Sequence, residues 1–385
     1  MILSITIRTA TTDADRSAWN SMILSGNYGS FYITTSWLNA YTAFGMSTQY
    51  LLAEDSQRNL VGGAALVIYR IGPLSWLYVP HGPISVHSDD AVVDALLDAI
   101  ETRSRKMRAA FIQISPFERS TFDQRWQVIA DENSIPYAPD RPKLASHRVS
   151  DHLLKRGYTQ RSLYKLLAAP NNGQIVDLGA EDLLSTFRKR TSDYIRRTQN
   201  STIVSIRQVA TLDDLHLAYN LIRGNTERYG SIYRPWETFK SATWEGIQEG
   251  YMLVMLAFLS EIPVSAILVG FGGNIGSYIS GGTERDADFE GLRPAYLLHY
   301  LAMLETKKRG YGEYDLTAIV GDGVAQLKRG FRPSYYRLQE PFSLVRNPTM
   351  FRIYKLVNDN LMSNRARMRL IANLIHAGKS ILRRK

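Results

Sequence analysis

Five basic residues near the middle of the chain have the types and the spacing that phosphate binding needs. They lie on a predicted helix that Glu181 and Asp182 open, and they are Arg188, Lys189, Arg190, Arg196 and Arg197. Arg190 and Arg197 fall close to one helix face by their spacing. Arginine guanidinium groups bind phosphate oxygens bidentately. The helix is therefore a candidate contact for a diphosphate or a nucleic-acid backbone, and a solvated basic surface is the alternative.

The chain lacks the side chains that several other kinds of chemistry require. It contains no cysteine, which excludes a cysteine nucleophile, a disulfide framework and thiolate metal sites. No serine–histidine nucleophile motif is visible. His81 and His87 are separated by a loop with Gly82 and Pro83, and no histidine pair has metal-ligand spacing. We therefore expect no bound metal.

The charge balance indicates an anionic partner. The net charge is +10 and the isoelectric point is about 9.5, which suits RNA, a phosphorylated precursor or an anionic membrane. A basic solvated surface would give the same numbers. Met1–Arg8 is too short and too alternating for a signal peptide, and no apolar run approaches the ~20 residues that cross a bilayer. We expect a cytoplasmic protein.

The elements that must position these residues occur twice along the chain. In each half the patterns predict a helix, a strand hairpin, a strand, a second helix and a closing strand. Trp37 in the first helix precedes Ile112 in the closing strand by 75 residues, and Trp236 precedes Tyr314 by 78. The agreement predicts two duplicated α+β domains, with chance similarity as the alternative.

Three aromatic residues are further candidates for substrate binding. Tyr78 and Tyr278 fall at equivalent strand positions of the two halves, where each could supply a hydroxyl group to a substrate in a cleft. The alternative is that both fill the edge of a core. Trp37 is the third candidate, and the alternative for Trp37 and Trp236 is a role as core anchors.

The element order resembles the GNAT acyltransferase fold, a central mixed sheet flanked by helices. That fold implies acyl-coenzyme A, whose pyrophosphate binds backbone N–H groups of a glycine-rich turn before the central helix. Neither Pro80–Val86 nor Gly282–Pro294 carries the glycine pattern, and Pro294 removes a donor. We therefore expect no coenzyme A in the usual mode and no other cofactor.

Several segments resemble motifs of the FemAB family, the peptidoglycan interpeptide-bridge aminoacyltransferases. The resemblance covers about residues 25–340, and the motif segments are Trp76–Pro83 (with histidine in place of arginine), Gln174–Leu178, Phe187–Arg197, Lys308–Leu316 and Gly323–Phe331. Between Ile222 and Trp236 there is no room for the long helical arm of some members. The chain thus resembles the compact members without that arm.

The resemblance implies that a precursor amine attacks the ester carbonyl of an aminoacyl-tRNA. It implies aminoacyl-tRNA as co-substrate and a UDP-linked or lipid-linked peptidoglycan precursor as partner. Lys328 would lie near the reacting ester and stabilise the oxyanion or the departing ribose oxygen, with a solvated lysine at a strand end as the alternative. Arg190 and Arg196 best match the motif that implies contact with the precursor diphosphate or tRNA.

Three positions depart from the family pattern. Ser115 precedes Pro116 where many members have an aspartate, so a carboxylate role at this position is open. Leu327 stands where the family prefers phenylalanine. Leu38–Tyr41, after Trp37, contains no lysine, although some members use a lysine there for the precursor phosphate. The precursor is therefore held differently or is a different molecule.

These observations predict an α+β protein with two tandem GNAT-like domains, residues 1–150 and 151–335. Residues 336–385 return to the first domain and end in a basic amphipathic helix, which would contact anionic membrane or tRNA or dock on the protein. The predicted function is tRNA-dependent aminoacyl transfer to a peptidoglycan precursor. The alternatives are acyl-CoA-dependent N-acylation of a sugar or amine, tRNA-dependent aminoacylation of a small metabolite or peptide, and a non-enzymatic RNA- or membrane-binding module.

Overall fold

The structure is a computed structural model that describes residues 5–25, 30–87, 89–120, 149–163, 172–228, 230, 233–284, 291–317 and 322–358. Up to residue 163 the elements are β1 (Thr6–Thr9), α1 (Asp13–Ser25), α2 (Thr35–Asn39), β2 (Ser47–Glu54), β3 (Leu60–Ile71), β4 (Leu74–Pro80), β5 (Ile84–Ser85), α3 (Asp90–Lys106), β6 (Phe111–Ser115), β7 (Arg119–Ser120), α4 (Val149–Lys155) and β8 (Thr159–Gln160). The remaining elements are β9 (Asn172–Asp177), α5 (Leu183–Thr186), α6 (Lys189–Gln199), β10 (Val204–Gln208), α7 (Leu212–Arg228), α8 (Trp236–Gln248), β11 (Met252–Leu259), β12 (Ile262–Gly272), β13 (Ile275–Thr283), α9 (Pro294–Lys308), β14 (Glu313–Asp315), α10 (Asp322–Gly330), β15 (Ser334–Leu338), β16 (Phe342–Val345) and α11 (Pro348–Val357).

These elements form two mixed sheets flanked by helices, which confirms the predicted α+β class. The strand order is β1-β2-β3-β4-β6-β16-β8 in the first sheet, where β5 also pairs with β3, and β10-β11-β12-β13-β14-β9-β15-β7 in the second. Each sheet has one parallel pair joined by a long helix, β4 with β6 across α3 and β13 with β14 across α9. The same unit of two parallel strands and an intervening helix therefore occurs in both halves, as the repeated pattern predicts.

Local sequence explains why the two crossover helices begin and end where they do. The Asp89 side chain accepts a hydrogen bond from the Ala91 N–H and caps α3, which satisfies a backbone donor at the first turn. Proline suits the first helical position because its missing N–H is not needed there, and Pro294 begins α9. Gly310 follows α9 with φ +82°, the left-handed backbone that ends a helix.

The sheets divide the chain differently from the predicted boundary at residue 150. Helix α4 packs against α3, and Arg156, directly after α4, places its Nη1 atom 2.7 Å from Asp98 Oδ1 of α3. Strand β8 then pairs with β16 in the first sheet, so the chain stays with that sheet beyond residue 160. Strand β7 instead pairs with β15 in the second sheet. Strand exchange of this kind depends on pairing between distant segments, which local patterns do not report.

The two domains share one hydrophobic core, to which both contribute buried aromatic residues. Helix α2 packs on α8, and the hydroxyl oxygens of Ser36 and Tyr251 lie 2.6 Å apart. Phe31, in a short 3-10 turn before α2, lies against Gly270 of β12. Because Phe31 is 1% exposed, it has little room to move away from a larger residue at that position.

Replacing Gly270 with alanine is therefore expected to destabilise the protein by about 1–3 kcal/mol. The added Cβ atom would lie 2.5 Å from Phe31 Cγ, so the ring or the strand must shift. Urea unfolding followed by fluorescence measures the change. Gly312→Ala is the matched control, because a Cβ atom there meets nothing within 4 Å. Equal stability of the two variants would contradict this interdomain packing.

Two predictions concern segments near the C-terminal end. The chain returns to the first sheet at β16, which lies between β6 and β8, and α11 packs beside β4. The predicted basic amphipathic helix in the tail from Arg365 to Lys385 lies outside the described residues. Within the described ranges, none of the helices combines the length and the apolar character needed to span a membrane.

Candidate functional site

Lys328 lies in the last turn of α10 and is one of the most buried charged residues described. Its side chain is 2% exposed, and its Nζ atom lies 5.6 Å from the centroid of the Tyr278 ring. Gly330 at the end of α10 packs against Thr191 of α6, and the Arg188 N–H donates to the Gly330 carbonyl at 3.0 Å. Lys328 is thus a buried helix residue and not a solvated residue at a strand end.

The side chains around Lys328 come from three different elements. His299 of α9 is 5% exposed, and its ring centroid lies 4.7 Å from that of Tyr278 on β13. His299 Nδ1 lies 3.2 Å from the Tyr314 hydroxyl oxygen of β14. The sequence analysis did not single out His299. The available signal was one histidine among the apolar, core-facing residues of the predicted crossover helix.

These neighbours set the charge state of the cluster. Burial lowers the pKa of Lys328 to about 8, while the negative charge of Asp315 acts in the opposite direction. Burial, together with the Lys328 charge, lowers the pKa of His299 to about 3, and burial raises the pKa of Tyr278. Near pH 7 the cluster therefore presents the Lys328 cation among neutral rings. A preorganised cation in a low-dielectric site stabilises a developing oxyanion strongly.

A small cleft of about 20 Å³, enough for a single water molecule, lies on the other face of β13 and β14. Successive side chains of a strand point to opposite faces, so Ser277 and Asp315 face the cleft while Tyr278 and Tyr314 face α9 and Lys328. The first domain contributes the opposite wall, and the full lining is Ser30, Tyr32, His81, Phe117, Gly272, Ile275, Ser277, Asp315, Thr317, Tyr336 and Leu338. The cleft is therefore an interdomain site.

Asp315 is the carboxylate of this cleft and is 6% exposed. Its Oδ2 atom accepts a hydrogen bond from the Tyr336 hydroxyl at 2.6 Å, and its Oδ1 atom accepts one from the Thr317 N–H at 2.7 Å. These donors hold the carboxylate in one orientation. Because Asp315 also acts electrostatically on Lys328, it links the cleft to the cluster on the opposite face of the sheet.

His81 lies on the first-domain wall, directly after β4. It is 3% exposed and adopts φ +45°. Its ring stacks on Phe117 at 4.7 Å between centroids and meets Tyr32 edge-on at 5.6 Å. Neither ring nitrogen has a hydrogen-bond partner among the described residues. Burial lowers the pKa of His81 to about 3, so the imidazole is neutral near pH 7.

Two other predicted site residues, Tyr78 and Trp37, belong to the shared interdomain core. Their side chains are 2% and 4% exposed. The Arg234 guanidinium lies 4.5 Å from the Trp37 ring centroid. Of the three aromatic candidates, Tyr278 lies beside Lys328, while Tyr78 and Trp37 occupy the positions expected of core anchors.

Arg190 and Arg196 are exposed on α6. The predicted single basic helix is divided into α5 and α6, because Phe187 and Arg188 are extended and Phe187 is buried against Phe331. Arg190 Nε donates to the Tyr194 hydroxyl at 2.5 Å. Arg293, which the sequence analysis did not single out, lies 5.4 Å from the same ring. We call Arg190, Arg196, Arg197 and Arg293 the basic surface.

Two family models match the chain. The FemAB family model matches residues 24–241, and the acetyltransferase (GNAT) domain model matches residues 185–329. Together they cover the cluster around Lys328, the basic surface and the cleft wall that carries His81. No curated protein matches the sequence significantly.

Solved structures share the fold at low sequence identity. The crystal structure of FemX superposes with a TM-score of 0.71 at 14% identity, covering 90% of this chain and 99% of FemX. A conserved protein of unknown function from Bacteroides thetaiotaomicron gives 0.52 at 12% identity, with 88% and 99% covered. The C-terminal domain of a putative lysylphosphatidylglycerol synthetase from Agrobacterium fabrum gives 0.51 at 11% identity, with 90% and 96% covered. These similarities confirm the predicted fold.

Proposed function

The chain belongs to the FemAB family and is an acyltransferase with two GNAT-like domains, and from this premise we propose that it transfers an amino acid from aminoacyl-tRNA to an amine of a peptidoglycan precursor. The observation that carries the proposal is the buried Lys328 cation beside Tyr278 and His299. A positive charge of this kind stabilises the oxyanion that forms on an ester carbonyl. The proposed reaction places the protein in the cytoplasm or at the inner face of the membrane.

The proposed step forms one bond and breaks one bond. The acceptor nitrogen attacks the ester carbonyl carbon, and a C–N bond forms while the carbonyl oxygen becomes an oxyanion. The oxyanion then collapses, the C–O bond to the ribose breaks, and the ribose oxygen takes one proton from the attacking nitrogen. Alignment of the two reactants supplies much of the rate enhancement, and Lys328 supplies the positive charge. No cofactor is required because the ester is already activated.

The basic surface supports the proposed polyanionic substrates. Its arginines come from α6 and from the residue before α9, and α6 packs on α9 and on the end of α10 that carries Lys328. A phosphate-bearing substrate bound there would therefore lie beside the element that holds the catalytic candidate. Exposed arginines contribute through long-range attraction and phosphate hydrogen bonds, and both weaken with salt.

The double variant Arg190→Gln/Arg196→Gln is expected to raise the KM for a phosphate-bearing substrate about tenfold at low salt, with a small change in kcat. The difference from the unaltered protein should shrink as salt rises, because the lost term is electrostatic. Arg105→Gln/Lys106→Gln, which removes two exposed charges from α3, is the matched control. Unchanged kinetics in the first variant would remove the basic surface from substrate binding.

The proposed function is tested by transfer of radiolabelled amino acids from a mixed pool of charged tRNA to a peptidoglycan precursor. Ribonuclease treatment of the donor should abolish labelling of the precursor, and fractionation of the donor pool should identify the amino acid. UDP-linked and lipid-linked precursors are assayed in parallel. Turnover with acetyl-coenzyme A and no transfer from tRNA would instead support the acyl-CoA-dependent alternative and overturn the proposal.

A further inference from the structure

We propose that the outward side of α11 docks on an anionic lipid membrane. Ile353 and Leu356 insert among the lipid headgroups, and Arg352 and Lys355 bind the lipid phosphates. We call these four residues the docking face. The inference goes beyond the proposed function, because it concerns where the protein binds and not which group it transfers. It rests on the exposed aliphatic side chains of α11, the basic residues beside them and the charge of the sequence that follows.

Helix α11 already buries one side against the first sheet. Tyr354 is 4% exposed, and its ring centroid lies 5.1 Å from that of Trp76 on β4 and 4.8 Å from that of Phe111 on β6. The Phe351 ring meets the Phe111 ring edge-on, with 5.8 Å between centroids. Residues three and four apart share a helix face, so Phe351 and Tyr354 define the side of α11 that contacts the sheet.

The opposite side of α11 carries aliphatic side chains. Leu356 is 65% exposed and Ile353 is 43% exposed, and their spacing of three residues places them beside each other. A surface helix normally has polar residues on the side away from the core. Single exposed apolar residues are common, but neighbouring ones mark a surface that contacts another apolar partner. The core-facing side of α11 is packed, so that partner lies outside the described fold.

A third exposed aliphatic residue lies on the same face of the first sheet. Ile71 is 51% exposed and pairs with Leu74 across the β3–β4 hairpin. Alternate residues of a strand point to the same face, so Ile71 and Leu74 lie on the face of Trp76, which α11 covers. Helix α3 packs in a different core cluster with Leu77, on the opposite face of this sheet.

The charges beside these aliphatic residues are positive. Arg352 and Lys355 are exposed, and the sequence of α11 contains no acidic residue. Residues 359–385, which follow α11, contain seven lysines or arginines and one acidic residue, Asp359. The docking face and the sequence after it therefore attract an anionic partner.

An anionic bilayer fits this combination better than the other possible occupants. Residues 359–385 and a second copy of the chain, whose net charge is +10, are both basic and would repel the basic residues of the docking face. RNA is anionic, but its binding uses aromatic stacking and phosphate contacts, to which Ile353 and Leu356 contribute nothing. A bilayer uses both kinds of side chain, because anionic headgroups attract the basic ones and the acyl boundary accepts the aliphatic ones.

Flotation with lipid vesicles tests the inference on the full chain without any transfer reaction. At low salt the protein should bind vesicles that contain phosphatidylglycerol about tenfold or more tightly than vesicles of phosphatidylcholine alone, and the difference should shrink as salt rises. Ile353→Ser/Leu356→Ser should weaken binding to the anionic vesicles about tenfold. Leu154→Ser/Ile262→Ser is the matched control. It removes two aliphatic residues that are 54% and 65% exposed elsewhere and should bind like the unaltered protein.

A charge variant separates a membrane from RNA. Arg352→Gln/Lys355→Gln should weaken binding to the anionic vesicles several-fold and leave binding to neutral vesicles and to uncharged tRNA unchanged. Arg105→Gln/Lys106→Gln removes two exposed charges from α3, on the opposite face of the first sheet, and should bind anionic vesicles like the unaltered protein. Circular dichroism of each variant verifies that it is folded.

A site-specific label reports contact with the lipid directly. The chain contains no cysteine, so one introduced thiol can carry an environment-sensitive fluorophore. On Leu356→Cys the label should shift its emission to shorter wavelength when anionic vesicles are added, and a lipid-borne quencher should reduce that emission. The same label on Leu154→Cys, an exposed position of α4, should change in neither experiment.

The outcomes separate this inference from the proposed function. Equal binding to the two kinds of vesicle, or unchanged binding of folded Ile353→Ser/Leu356→Ser, would overturn the docking face even if aminoacyl transfer occurs. A loss of tRNA affinity in Arg352→Gln/Lys355→Gln with unchanged vesicle binding would assign the face to RNA and also overturn it. Membrane binding through α11 without transfer from any charged tRNA would support the docking face and overturn the proposed function.

Discussion

Replacing Lys328 with methionine is expected to lower kcat for aminoacyl transfer by roughly 100- to 1,000-fold, the range seen when one oxyanion-stabilising group is lost. Methionine matches the length and apolar stem of lysine but carries no charge. The KM values should change little, because the interaction is made mainly in the transition state. Steady-state kinetics with the charged-tRNA donor measure both parameters.

The same variant should remain folded, which separates lost chemistry from lost structure. The pKa of Lys328 is lowered by burial from 10.5 to about 8. The folded state therefore binds fewer protons than the unfolded state between pH 8 and pH 10.5. The buried charge destabilises the fold fully below pH 8, and this effect fades between pH 8 and pH 10.5 and is absent above that range. Lys328→Met should thus unfold at the same or a higher temperature at pH 7.

Lys308→Met provides the control for Lys328→Met, since Lys308 is exposed at the end of α9. It removes one positive charge from the same domain without altering the buried cluster. It should retain nearly full turnover. A folded Lys328→Met protein with near-full turnover would remove Lys328 from the mechanism and leave the cluster as a structural feature.

The repeated domain organisation could be predicted from the sequence because it rests on local patterns. Apolar periodicity identifies the crossover helices α3 and α9 and the strands beside them, and the duplicated order of those elements fixes the class of fold. The motif Gly323–Phe331 also singled out Lys328, which the structure places beside Tyr278. These signals depend on a few consecutive residues, so one sequence is enough to read them.

The features that could not be predicted depend on distant segments. The exchange of β7 and β8 between the sheets requires pairing across long stretches of chain. The cleft joins His81 to Asp315, which lie far apart in the sequence and belong to different domains. The division of the basic helix at Phe187 follows from burial of that ring against Phe331. Local propensity carries no information on any of these contacts.

The contribution of the Lys328 charge to the rate of transfer is also expected to fall as the pH rises above about 8, about tenfold for each further pH unit. Lys328 is protonated below its pKa of about 8, and only the protonated form stabilises an oxyanion. The groups that act on it are the negative charge of Asp315 on β14, His299 on α9 and the ring of Tyr278 on β13. His299 stays neutral above pH 5 because its pKa is lowered to about 3.

The acceptor amine acts in the opposite direction, because only its unprotonated form attacks and its fraction rises with pH. The profile of kcat should therefore have a rising limb from the amine and a falling limb near pH 8 from Lys328. The variant Lys328→Arg separates the two limbs of the kcat profile, since arginine stays charged across the whole pH range of the assay. Its activity will be lower, but the falling limb should disappear. A falling limb that persists in Lys328→Arg would assign it to another group, and the charge on Lys328 would then not control the reaction.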